Sequence, residues 1–167
     1  MTIEAEILKK LIEDELARIT DTRVTTQIRS FLVEPKPLLR DWAYGAKGQR
    51  YLCWNVLEHA PENTAIAYSE NGFGPKNPWG LVALEGTHMG MGMDSGWFPT
   101  FMQAYFESFV AALLSIWRVF KTDPSGDRRP ITSEGGWDET WKQVMRHREE
   151  DTISRYDCDT SIPFRRE

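Results

Sequence analysis

The sequence predicts an α+β fold: a mainly antiparallel sheet of about five strands, an N-terminal helix, a long buried helix over residues about 101–120 and a polar C-terminal helix. Segments in which apolar and polar residues alternate are clustered between residues 23 and 85, with links of hairpin length. Apolar residues at helical spacing lie before and after this cluster. The 167 residues are expected to form one domain over residues 1–150, followed by a tail over residues 151–167 that either packs or frays.

The first helix is predicted over residues 3–18, where isoleucine and leucine recur at intervals of one helical turn. Residues 23–33 then alternate in the manner of a strand that has one wetter face. Proline has no backbone N–H to donate to a sheet, so Pro35 and Pro37 are expected to end this strand.

Several further segments are predicted to be strands, separated by turns rich in glycine, proline and asparagine. They comprise residues 38–44, 50–58, 64–69 and 79–85. The last of these is nearly all apolar, which predicts a central position in the sheet, where both faces are covered.

The longest apolar stretch runs over residues 98–120 and is predicted to be a buried helix. Thr100 followed by Gln103 forms the pattern of a capping box at its start. Gln103 and Glu107 interrupt the stretch, which favours a buried helix over a membrane span. The sequence after it predicts a hydrophilic loop over residues 122–136 and a polar helix over residues 138–150.

The charge of the chain is concentrated in its middle. The formal net charge is −5, from 20 basic and 25 acidic residues. Residues 51–117 hold all of the excess, because only Lys76 balances a set of six acids. These acids are Glu58, Glu62, Glu70, Glu85, Asp94 and Glu107. An acidic segment is a poor binder of phosphate backbones, so we expect no nucleic acid and favour a basic protein partner. The alternative is that the charge only keeps the protein in solution.

The two cysteines, Cys53 and Cys158, lack the spacing of a zinc site or a redox pair. They are expected to be reduced, with one long-range disulfide as the alternative. The N-terminal segment is too acidic and too evenly amphipathic for a signal peptide, which favours a cytoplasmic protein. No cofactor and no membrane association are expected.

A glycine- and methionine-rich loop over residues 86–97 is the main candidate for chemistry. It lacks the phosphate-binding glycine motifs, and its glycines also suit a chain that turns tightly against a sheet. His88 and Asp94 could act as an acid–base pair or as metal ligands, together with Glu58 and His59. No nucleophile–histidine–acid pattern appears, so no catalytic residue is assigned. The alternative function is a small-ligand or metal-binding, hydrolase-like enzyme that uses this loop.

Residues 79–108, preceded by the segments CWNVLEH and TAIAYSENGFGP, resemble small bacterial cytoplasmic proteins of the toxin-immunity type. The resemblance covers residues 23–108 and leaves residues 109–167 outside it. It implies a non-enzymatic immunity protein or inhibitor that neutralises a secreted bacterial toxin by occluding its active surface.

The predicted partner-binding surface combines acids with aromatic anchors, because exposed aromatic residues ringed by polar groups are typical of protein interfaces. It comprises Glu58, Glu62, Glu70, Trp79, Glu85, Asp94 and Trp97. The alternative for Trp79 and Trp97 is that they wall the junction between sheet and helix. A homodimer built on the predicted helix over residues 101–120 is a further possibility.

Overall fold

The computed structural model describes residues 3–86, 89–92 and 95–164 of the chain. The chain divides into two compact units. The first unit comprises Met1–Val110 with Phe164–Glu167, and the second comprises Ala111–Pro163. Among the described residues there are five α-helices, a five-stranded antiparallel sheet and a three-stranded sheet, so the α+β class is confirmed.

The first helix, α1, runs over Ala5–Leu16 and confirms the predicted N-terminal helix. It buries Leu8, Ile12 and Leu16, which lie on one face because helical residues four apart are neighbours. Glu15 of α1 accepts hydrogen bonds from the backbone N–H groups of residues 101 and 102, at 3.1 and 2.9 Å. These two groups belong to the first turn of a later helix, whose N–H groups have no partner within that helix.

The strand predicted over residues 23–33 is wrong, because a second helix, α2, occupies Thr22–Phe31. Asp21 is its N-cap, and the carboxylate accepts a hydrogen bond of 2.9 Å from the backbone N–H of Arg23. Val24 and Ile28, one turn apart, are fully buried. The apolar residues of this stretch therefore fit a helical period as well as the alternation of a strand. The N-cap at Asp21 and the burial of Val24 and Ile28 on one face favour the helix.

The sheet of the first unit has the order β1-β2-β3-β4-β5, and every neighbouring pair is antiparallel. The strands are β1 (Leu32–Asp41), β2 (Arg50–His59), β3 (Thr64–Tyr68), β4 (Trp79–Ala83) and β5 (Gly96–Phe98). The strands predicted at residues 50–58, 64–69 and 79–85 are confirmed, and β4 lies inside the sheet as expected.

Pro35 and Pro37 lie within β1 and do not end a strand, which corrects the prediction. The reason is the position of β1 at the edge of the sheet, where proline can point its missing N–H away from the neighbouring strand. The pairing with β2 is also irregular between Leu32 and Lys36. Such a bulge relaxes the demand for regular hydrogen bonding.

The predicted long helix over residues 101–120 is also wrong. The structure has a short helix α3 (Phe101–Phe106), a single turn α4 (Phe109–Ala112) and a strand β6 (Trp117–Thr122). The expected cap is present, since Thr100 Oγ1 accepts a 3.1 Å hydrogen bond from the N–H of Gln103. After α3 ends, β-branched and aromatic residues follow, and these favour a strand. The helix on which the homodimer was predicted is therefore absent, and the homodimer itself stays a prediction.

The second unit is a three-stranded sheet with the order β7-β6-β8, where β7 is Arg128–Pro130 and β8 is Arg155–Thr160. Its helix α5 (Trp137–Glu150) confirms the predicted polar C-terminal helix. Val119 of β6, Val144 of α5 and Tyr156 of β8 form its buried cluster, with Cys158 packed against them. Part of the segment 151–167 thus forms a strand of this sheet.

In the described part of the chain, no helix is both long enough and apolar enough to cross a membrane.

The buried tyrosine of α3 predicts how stability depends on alkaline pH. Tyr105 is fully buried and donates a hydrogen bond of 2.5 Å to the side-chain oxygen of Gln27. Burial, helped by the charge of Asp21, raises the pKa of Tyr105 well above its usual range. The unfolded chain therefore loses this proton first. The resulting stabilisation is complete below about pH 10 and is lost as the pH rises towards the folded-state pKa.

We expect the free energy of unfolding of the first unit to fall above about pH 10. Denaturant unfolding of wild type and Tyr105→Phe at neutral and alkaline pH measures this, and the variant should show the smaller fall. An identical fall in both proteins would assign the alkaline loss to other groups.

Candidate functional site

The predicted acidic residues do not form one continuous face, because they lie at opposite ends of the sheet. Thr64 begins β3 and pairs with Ala83, two residues before Glu85. Glu70 follows the other end of β3, and its carboxylate accepts a 3.3 Å hydrogen bond from the N–H of Ile3. Glu85 and Glu70 are therefore separated by the length of the strand.

A two-way hydrogen bond brings Glu62 and Glu85 to the same end of the sheet. Asn63 follows a 3-10 turn over Ala60–Glu62 and adopts φ 51°, a left-handed conformation that asparagine tolerates. Its side-chain nitrogen donates to the carbonyl of Glu85 at 3.0 Å. The N–H of Glu85 donates to the side-chain oxygen of Asn63 at 2.9 Å. Only the backbone of Glu85 is used, so its carboxylate stays exposed.

An apolar cleft of about 350 Å³ opens at this end of β3 and β4, within the first unit. Most of the side chains that line it are apolar. They include Leu57, Ile66, Leu81, Val82, Phe109 and Val110. Phe109 is 55 % exposed, a large value for a phenylalanine beside a cavity. Glu107, an exposed residue, also lines the cleft. The cleft offers apolar area that the isolated unit does not cover.

Three exposed acidic residues lie at this cavity or next to its lining: Glu107 lines it, Glu62 precedes the lining residue Asn63, and Glu85 is hydrogen-bonded to Asn63 through its backbone. We call the cavity together with these three residues the acidic cleft. Within the described residues, none of the three forms an ion pair with a lysine, arginine or histidine. Within that part of the chain, their charges are therefore not neutralised.

Glu58 is not part of the acidic cleft, because its carboxylate forms an ion pair. It lies on β2 with a side chain 19 % exposed and pairs with Lys36 of β1 at 3.2 Å. Glu107 and Phe109, by contrast, are cleft residues that the sequence did not single out. The charge of the segment included Glu107, but the predicted long helix hid the break in the chain that brings it to the sheet.

Trp79 is a core residue, which corrects its assignment as a partner-binding anchor. It is 3 % exposed and makes edge contacts with the rings of Tyr68 and Phe101, at centroid distances of 4.9 and 5.4 Å. A side chain that is almost completely buried has no exposed surface that a partner could contact. Its role matches the alternative weighed from the sequence, a wall between sheet and helix.

Trp97 is half-buried and lies flat against the sheet. Its indole N–H donates to Ser95 Oγ at 2.8 Å. A Cβ atom added at Gly80 would lie 2.6 Å from the ring, so glycine is required for this approach. Part of the ring remains exposed, and its role as an anchor stays a prediction.

In the loop over residues 86–97, His88 and Asp94 lie outside the described residues. Met91 is fully buried with its sulfur 3.6 Å from that of Cys53, and Gly92 adopts φ 124°. These two positions fit the interpretation in which methionine fills gaps and glycine allows a tight turn. His59 is buried against the ring of Phe31, at a centroid distance of 5.4 Å. In the described ranges, no three histidine, cysteine, aspartate or glutamate side chains are grouped so that they could hold a metal ion.

Arg40 ties this loop to the sheet from a fully buried position. Its guanidinium donates to the carbonyl oxygens of Ala83 and Met89, at 2.9 and 3.2 Å, and to the side-chain oxygen of Asn55 at 3.1 Å. Burial lowers the pKa of Arg40. One side chain thus links β1, β2, the end of β4 and the loop.

Both cysteines are free thiols, so the long-range disulfide is excluded. Cys53 is buried in the first unit, and Cys158 is half-buried in the second. Burial, with the nearby Asp159 and Asp157, raises the pKa of Cys158 to about 12. A thiol held in its neutral form is a poor nucleophile.

No protein-family model, no curated protein and no solved structure matches this chain.

Proposed function

We propose that the chain is a non-enzymatic protein-binding domain, a cytoplasmic immunity protein or inhibitor that neutralises a secreted bacterial toxin by occluding its active surface. The acidic cleft is the observation that carries this proposal. It combines uncovered apolar area with three carboxylates that have no ion-pair partner in the described residues.

The two components of the acidic cleft have different physical roles in binding. Covering the apolar cavity and the exposed Phe109 removes apolar area from water, which supplies affinity. The carboxylates of Glu62, Glu85 and Glu107 attract a basic surface, which speeds encounter and selects the partner. A basic protein with an apolar side chain between lysines or arginines fits both components.

The proposed interface therefore differs from the one that the sequence predicted. Glu62 and Glu85 are retained, and Glu107 and Phe109 are added. Asp94 and Trp97 remain predicted contributors, while Glu58 and Glu70 are assigned no direct role.

The test is affinity capture of the partner from lysate of the source organism, with wild type and two variants as bait. The double variant Glu85→Lys with Glu107→Lys reverses two charges of the acidic cleft. Both side chains are exposed. Glu107 is the C-cap of α3, so a lysine there suits the negative end of the helix dipole. Glu70→Lys is the matched control at the opposite end of the sheet.

We expect wild type and Glu70→Lys to retain a stoichiometric basic protein at low salt, and the double variant to lose it. The captured protein should be toxic when produced alone and harmless when co-produced with this chain. Equal capture by all three baits would contradict the proposed surface, and a captured protein without toxicity would contradict the immunity role.

A further inference from the structure

The second unit contains a polar cleft of about 680 Å³ at the end of its sheet. Arg128, Arg148 and Arg155 line it, together with hydroxyl-bearing residues that include Thr122, Thr152 and Ser154. Three arginines around one cavity are notable in a chain with a net charge of −5. The cleft is independent of the acidic cleft and of the function proposed for it.

Register places two of the arginines on one face of the sheet. Thr122 of β6 lies directly opposite Arg128 of β7 and directly opposite Arg155 of β8. Residues directly opposite in antiparallel strands project from the same face. Arg128, Thr122 and Arg155 therefore form one row across the end of the sheet.

Arg148 reaches the same cleft from α5 and is held in place by its neighbours. Its Nε and Nη2 atoms donate to the carbonyl of Tyr156, at 3.0 and 2.8 Å. Its guanidinium also lies over the ring of Trp141, 5.1 Å from the centroid. These contacts fix the orientation of the guanidinium, but none of them neutralises its charge.

The acidic side chains in the cleft are already engaged. Asp151 accepts a 2.7 Å hydrogen bond from the Tyr156 hydroxyl and lies 3.6 Å from the ammonium of Lys121. The Tyr156 bond and two backbone N–H groups hold the pKa of Asp151 well below its usual range. Asp157 pairs with Arg128 at 2.6 Å.

Two positive charges of the cleft remain without a carboxylate. Among the described residues, neither Arg148 nor Arg155 forms an ion pair. The local excess of charge is positive, although the chain as a whole is acidic.

We propose that this cleft binds the phosphate group of a small phosphorylated ligand or of free phosphate. Guanidinium groups match the geometry of phosphate oxygens and bond to them in pairs. The hydroxyl of Thr152 adds a donor for a group whose several oxygens point in different directions. A carboxylate, which is planar and has two oxygens, would use fewer of these donors.

The experiment is a titration of the full chain with inorganic phosphate, followed by NMR of backbone amides and arginine side chains. Arg155→Gln removes one of the two unpaired charges from an exposed position and should leave the fold intact. Arg146→Gln is the matched control, because Arg146 is exposed on α5 but does not line the cleft.

We expect saturable shifts at Arg148, Ser154 and Arg155, and binding at least about fivefold weaker in Arg155→Gln but unchanged in Arg146→Gln. The absence of saturable shifts, or equal weakening in both variants, would overturn the proposal. Parallel titrations with phosphoserine and acetate identify the source. Tighter binding of phosphoserine indicates a phosphorylated ligand, tighter binding of inorganic phosphate indicates the free ion, and acetate binding as tight as either would overturn the assignment to phosphate.

Discussion

Arg40→Lys is expected to destabilise the first unit by about 3 kcal/mol. The guanidinium of Arg40 is fully buried and bonds to Ala83, Met89 and Asn55, which belong to three different segments. A lysine ammonium keeps the charge but lacks the planar fork, so it cannot reach all of these oxygens at once. Buried acceptors are then left unsatisfied around a charge that has lost solvent.

The matched control for Arg40→Lys is Arg50→Lys on the neighbouring strand. Arg50 is exposed and pairs with Asp41 at 2.8 Å, so the same substitution there should change stability by less than about 0.5 kcal/mol. Hydrogen exchange of the amides of β2 and β3 reports the first unit alone. Equal protection of these amides in wild type and Arg40→Lys would show that the buried fork does not stabilise the fold.

Trp79→Ala is expected to cost about 4 kcal/mol of stability, because it removes a large side chain from the core. Trp79 is 3 % exposed and packs between Tyr68 and Phe101. Those two residues sit on β3 and α3, so the cavity would separate the sheet from its helix. A change of this size is a large part of the stability of an ordinary domain.

Trp141→Ala provides the comparison for Trp79→Ala, since Trp141 is 38 % exposed on α5. We expect its removal to cost about 1 kcal/mol or less. Denaturant unfolding of both variants measures the difference. If Trp79→Ala kept wild-type stability and lost only partner binding, Trp79 would be an interface anchor after all.

The sequence was sufficient for the fold class and for most strands of the first unit. The strands at residues 50–58, 64–69 and 79–85 follow from alternation or, for the last, from an apolar run, and from the turn residues that bound them, which are local signals. The segment over residues 23–33 shows where such signals fail. Its residues satisfy two periods at once, and tertiary burial of Val24 and Ile28 decides between them.

The prediction of one helix over residues 101–120 is wrong for a related reason. An apolar run cannot be divided into helix and strand by periodicity when nearly every residue is apolar. The structure ends α3 at Phe106 and starts β6 at Trp117, and both elements bury most of their residues. This error concealed the second sheet as well.

For the candidate site, the sequence predicted only which segment carries the excess of acidic residues. Sequence arithmetic located the excess of acid in residues 51–117. The grouping of Glu62, Glu85 and Glu107 depends on strand register and on the left-handed turn at Asn63. Glu58 is not part of the acidic cleft, because its charge is paired with Lys36 on the neighbouring strand. Such pairings are set by tertiary structure and have no local signature.

We propose that the acidic cleft binds a basic protein. The most direct measurement is the Kd of the captured partner for wild type and for Glu85→Lys with Glu107→Lys, at about 0.05 M and about 0.5 M salt. We expect binding at least about thirtyfold weaker for the double variant at low salt, with little remaining dependence on salt. An unchanged Kd with an unchanged salt dependence would contradict it.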